Sequence, residues 1–123
     1  MRFELAPDIQ EKINSMLNVL NFKHLDRTRI ICMRGYGSKS KALARIWGLS
    51  RIWQKALGIK SHYIIEVLYP NFDKLSKEDQ EKTLLHELLH IPKKFSGGLV
   101  PHKCFGRRID KKRVEELYKK YFK

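Results

Sequence analysis

Three residues in one short stretch could do chemistry: His86, Glu87 and His90, spaced H-E-x-x-H within TLLHELLH. On a helix, positions four apart lie on one face, so the two imidazoles point the same way. Their separation suits two corners of a tetrahedral zinc site with Zn–N bonds of about 2.0–2.1 Å. Glu87, one residue past the first imidazole, falls beside such a metal, where a carboxylate can take a proton from a zinc-bound water. Leu84, Leu85, Leu88 and Leu89 fill the other side of the helix. One face would carry ligands and the opposite one would enter a core.

The helix cannot supply a third ligand. Pro92 lacks an N–H and clashes with the preceding turn, so the helix stops by Ile91. Lys93 to Val100 then reads as a loop, with Gly97-Gly98 supplying conformations other residues avoid. His102 follows the stiffening Pro101, twelve positions after His90, far enough for the loop to fold back over the helix end. His86, His90 and His102 with one open position make the arrangement of catalytic zinc, whereas a structural site closes with a fourth protein ligand. Cys104, two residues beyond His102, is the candidate for such a fourth ligand.

HELLHIP followed by FSGGLVPH resembles an archaeal family of small zinc metallopeptidases related in broad plan to SprT-like zincins. The resemblance runs most clearly from Tyr63 through His102 and includes IEVLYPNFDKL before the helix. It implies a compact zincin domain with zinc on His86, His90 and His102 and with Glu87 as the base. The sequence departs from the metzincin pattern, having no glycine three residues after His90 and no histidine six after it, so methionine-turn features do not carry over.

The elements that must position these residues are legible as periodicities. Ile9, Ile13, Met16, Leu17 and Leu20 predict an amphipathic helix over 8–21. The run 29–34 (RIICMR) predicts a buried strand, with Cys32 in the core. A glycine-containing turn follows, ringed by Arg34, Lys39, Lys41 and Arg45. A strand is expected around 43–48 and a short turn or helix over 50–57, ended by Gly58. The β-branched and aromatic run 62–69 (HYIIEVLY) predicts a strand. It is the candidate edge strand for pairing with an extended peptide, the alternative being a central strand. Glu66 on that strand could orient a ligand histidine. Ser76 with Glu78 and Asp79 starts the metal helix, expected over 77–90, and Asp110 opens a last helix over 110–121. Together these give an α+β, zincin-like domain spanning 1–123. A small, mainly antiparallel sheet packs on the H-E-x-x-H helix, with a helix at either end of the chain.

Composition bounds the rest. A chain of 123 residues with 42% hydrophobic content forms one core. Two cysteines make no disulfide framework. No transmembrane run or signal-peptide opening is present, so a cytoplasmic protein without a membrane partner is expected. The 26 basic against 13 acidic residues give +13. This excess attracts nucleic acid or other anionic partners, with Arg34, Lys39, Lys41 and Arg45 as first contacts and Lys103, Arg107 and Arg108 as the next.

The chemistry expected is peptide-bond hydrolysis of a protein or peptide substrate. A zinc-activated water attacks the carbonyl and Glu87 passes the proton to the leaving amine. Tyr118, Arg107 or Arg108 could stabilise the oxyanion. Two readings compete with it. One is a zinc-dependent endoribonuclease, which the charge suits but the glutamate directly after the first histidine does not. The other is a non-catalytic, zinc-stabilised nucleic-acid-binding protein.

Overall fold

A computed structural model of the protein describes residues 1–101, 103–104, 107–108 and 110–122. Strand β1 (Arg2–Leu5) leads into helix α1 (Pro7–Leu20), a 3-10 turn (Arg27–Arg29) and strand β2 (Ile30–Tyr36). Strand β3 (Ala44–Gly48), helix α2 (Arg51–Leu57) and strand β4 (Tyr63–Leu68) follow. Helix α3 (Lys77–Leu88), the short hairpin strands β5 (Lys103–Cys104) and β6 (Arg107–Arg108), and helix α4 (Lys111–Phe122) complete the chain.

Each helix forms where local chemistry starts and stops it. Pro7 opens α1, where its missing N–H costs nothing, and Asn21 closes it in the left-handed conformation with its N–H on Leu17 O. Between them Ile9, Ile13, Met16, Leu17 and Leu20 form one buried stripe. The Ser76 hydroxyl caps α3 by accepting the Asp79 N–H at 3.2 Å. The Asp110 carboxylate starts α4 by accepting the Arg113 N–H at 3.0 Å, and α4 buries Val114 and Tyr118. No helix among the described residues is long and apolar enough to cross a membrane.

The main sheet has the order β1-β2-β4-β3. It is mixed: β1–β2 and β3–β4 are antiparallel, while the central β2–β4 pair is parallel. The parallel pair arises because β3 and α2 intervene between its members, so β4 returns in the direction of β2. Ile30, Cys32, Tyr63, Ile65 and Val67 join α1 and α3 in the buried core. From the register, the opposite face carries Phe3, Leu5, Met33, Arg45, Trp47, Ile64 and Glu66.

Two sequence expectations need correction. The strand over 62–69 is not an edge. As β4 it lies between β2 and β3, and the edges are β1 and β3. Strand β1 was not expected at all, and its four residues are exposed, so no buried alternation marks it.

Candidate metal centre

Leu84, Leu85 and Leu88 are buried in the core and fix the rotation of α3. That rotation brings His86, Glu87 and His90 together, with one ligand atom from each lying within 4.8 Å of the others. The helix ends at Leu88, so His90 stands in the turn just beyond it. The Nε2 atoms of His86 and His90 are 3.3 Å apart. Two ligands about 2.05 Å from one metal at the tetrahedral angle are separated by about 3.3 Å, so this spacing fits zinc.

His90 is held in the tautomer a metal needs. Its Nδ1 lies 2.5 Å from the Val100 carbonyl and donates to it, which leaves the Nε2 lone pair for coordination. The Val100 N–H in turn donates to His90 O at 2.7 Å. Glu87 is buried and its Oε2 has no hydrogen-bond partner among the described residues. Burial raises its carboxyl to about 7, and a cation alongside would favour the ionised form again. A buried carboxylate oxygen with no partner among the described residues, beside two facing imidazoles, fits a site that could hold a metal ion.

Residues that sequence reasoning missed hold the loop after α3. The Tyr63 hydroxyl accepts from the Gly97 N–H at 2.8 Å and donates to the Gly98 carbonyl at 2.7 Å. The Ser61 hydroxyl donates to Phe95 O, and Gln54 Nε2 donates to Ser96 O at 2.8 Å and Leu49 O at 2.7 Å. Edge strand and loop meet without room for side chains. A Cβ on Gly48 would lie 2.0 Å from Gly97 O, and Gly97 itself has φ +97°. The available signal was Tyr63, which faces inward with a hydroxyl that must find a partner when buried.

Other candidates are spent elsewhere. Glu66 does not orient a histidine. It lies on the sheet face away from α3 and accepts the Trp47 indole N–H at 3.0 Å. The Tyr118 hydroxyl donates to Glu81 at 3.1 Å, so it is committed to a carboxylate rather than to an oxyanion. Arg34 is not available to phosphate because it bridges Asp8 and Asp73 at 2.9 and 3.0 Å. His102 and the side chains of Lys103, Cys104, Arg107 and Arg108 lie outside the described residues.

The arrangement defines an α+β protein whose metal-capable His–Glu–His group sits at the C-terminal end of a helix that packs beside an edge strand. Over residues 1–121 the chain matches the family described as "Putative phage metallopeptidase", and it belongs to that family. The family is one of metallopeptidases by description, which implies a metal cofactor, and the His–Glu–His group could hold a metal ion. No curated protein and no solved structure matches the chain.

Proposed function

We propose that the protein is a zinc-dependent peptidase of the zincin type, with zinc held by His86, His90 and His102 and with Glu87 as general base. The observation that carries this reading is the 3.3 Å separation of the two Nε2 atoms beside the buried Glu87 carboxylate, whose Oε2 has no hydrogen-bond partner among the described residues. When bound, zinc supplies a Lewis acid that polarises the scissile carbonyl and lowers the pKa of water to about 7. Glu87 would act as the base, taking a proton from the attacking water and returning it to the departing amine nitrogen. His90, fixed by the Val100 carbonyl, keeps its coordinating nitrogen unprotonated throughout.

The substrate strand has a place to lie. Strand β3 is an edge packed beside α3, and its last residue abuts the loop at Gly97. Leu43 O and Leu49 N bond to β4. In an antiparallel ladder the bonded positions alternate, so Ala44, Ile46 and Gly48 direct their N–H and C=O groups outward. An extended peptide can pair with those groups. The test is cleavage of a peptide library by zinc-loaded protein and by Glu87→Gln. Cleavage that persists unchanged in the variant, or hydrolysis of RNA but of no peptide, would overturn the proposal.

A further inference from the structure

The positive charge is not spread evenly along the chain. Residues 27–65 hold nine of the 26 basic residues and none of the 13 acidic ones. Residues 88–109 hold five more basic residues, again with no acid. The first segment builds β2, α2 and the edge strand β3, and the second follows α3 in the chain. Within the first, Arg29 and Arg34 are neutralised by Asp26 and by Asp8 with Asp73. Lys39, Lys41, Arg45, Arg51 and Lys55 form no ion pair among the described residues. In chain order they run from the turn before β3, through β3 itself, to the helix after it.

Strand β3 offers two distinctive side chains on the sheet face away from α3. Arg45 gives one N–H to Ser38 Oγ at 3.1 Å and keeps its other donors. Trp47 is 51% exposed, and its N–H is tied to the buried Glu66, which fixes the ring while leaving much of it in solvent. A strand laid against β3 places side chains directly opposite Arg45 and Trp47 on that same face.

We propose that the substrate is an acidic stretch of polypeptide, paired along β3 with a carboxylate opposite Arg45 and an apolar side chain opposite Trp47. The proposal rests on the peptide-hydrolysis reading above. A nucleic acid would also answer the charge. However, the outward N–H and C=O groups of Ala44, Ile46 and Gly48 call for a partner with alternating amides of its own. Ile52, Trp53 and Leu57, exposed on α2 directly after β3, also suit the side chains of a polypeptide.

Fluorescence anisotropy of labelled peptides on zinc-loaded Glu87→Gln, which should bind without cutting, tests this. Acidic, neutral and basic peptides of equal length should be compared at low and physiological salt. The acidic peptide is expected to bind on the order of tenfold tighter than the neutral one at low salt, with the advantage shrinking as salt rises. Adding Arg45→Glu should erase the advantage. Arg45→Gln, free of repulsion from Glu66, should reduce it, and Lys119→Glu on α4, with the same charge change as Arg45→Glu, should leave it intact. Equal binding of acidic and neutral peptides overturns the proposal, as does equal loss from Arg45→Glu and Lys119→Glu. Displacement of the acidic peptide by an oligothymidylate of equal charge, at lower concentration than unlabelled peptide requires, assigns the surface to nucleic acid and overturns it too. Cleavage by the wild-type protein is read separately. Neutral peptides cut without acidic preference sink this proposal and keep the hydrolytic reading, whereas acidic binding with no cleavage of any peptide keeps the acidic docking along β3 but sinks the hydrolytic reading and, with it, the claim that the bound segment is a substrate.

Discussion

Glu87 carries a cost that the fold alone does not explain. Its Oε2 is buried without a donor among the described residues, and an unpaired buried polar atom costs roughly 1–3 kcal/mol. A residue kept at such a cost is expected where activity opposes stability. Glu87→Gln should therefore melt no lower than the parent and retain zinc, while losing about 10²–10⁴-fold in peptide hydrolysis. A single-turnover assay beside a melting curve checks both halves, and a variant cutting at the parental rate would remove Glu87 from the role of base. Arg34 gives a second residue-scale outcome. Its hydrogen bond is the largest influence holding the Asp8 carboxyl below its ordinary value of 3.8. Asp26 is held down likewise, first by Thr28 and then by Arg29. Depressed folded-state values mean these carboxylates contribute stability that is complete above the ordinary value and is lost as pH falls through the lower folded values. Acid titration of stability should therefore show a loss below about pH 4, smaller in Arg34→Ala because the Asp8 contribution is already gone. Equal losses in both proteins would mean that the bridge contributes nothing.

At the scale of elements, the loop after α3 is held by side chains from the β3–β4 connection and from β4. Tyr63→Phe removes the hydroxyl that serves both Gly97 and Gly98 and leaves a backbone donor and acceptor to find new partners. A loss of about 1–3 kcal/mol is expected, read as a lower midpoint in urea with an unchanged slope. Activity should fall further than stability does, because this loop leads from His90 toward His102. If Tyr63→Phe unfolds at the parental midpoint, the hydroxyl does not hold the loop. The helices and the three longer strands were legible because their apolar residues recur at periods set by local geometry: α1 at Ile9, Ile13, Met16 and Leu20, and β4 at Tyr63, Ile65 and Val67. His86, Glu87 and His90 were legible because their H-E-x-x-H spacing is local, the first two on α3 and the third in the turn just past its end. Strand β1 was not, because RFEL is exposed at all four positions. Nor was the partnership of Gly48 with Gly97, because contacts between distant segments leave no period in the sequence.

Strand order belongs to the whole molecule, and there the sequence was least informative. The run 62–69 reads equally well as edge or centre, and only the placement of β3 outside β4 decides it. That placement puts an open strand edge beside α3 and leaves the sheet face with Phe3, Leu5 and Trp47 substantially exposed. The core is thus built on one side of the sheet, chiefly by α1, α3 and α4. A metal held at His86 and His90 would secure the end of α3 within that single layer. Because the unfolded chain does not hold those imidazoles 3.3 Å apart, zinc should bind the folded state preferentially and stabilise the protein as a whole. At a free zinc concentration one hundred times the dissociation constant the gain is about 2.7 kcal/mol. For a domain of this size that corresponds to a rise in melting temperature of roughly 8–14 °C. Differential scanning fluorimetry with zinc, then with excess chelator, should show the rise and its reversal. His86→Ala should abolish the zinc response while melting near the metal-free parent, His90→Ala should abolish it from a lower melting temperature because its bond to Val100 is also lost, and His102→Ala should weaken it if His102 completes the ligand set. A parent protein whose melting temperature does not move with zinc or chelator would show that the three side chains meet without binding the metal.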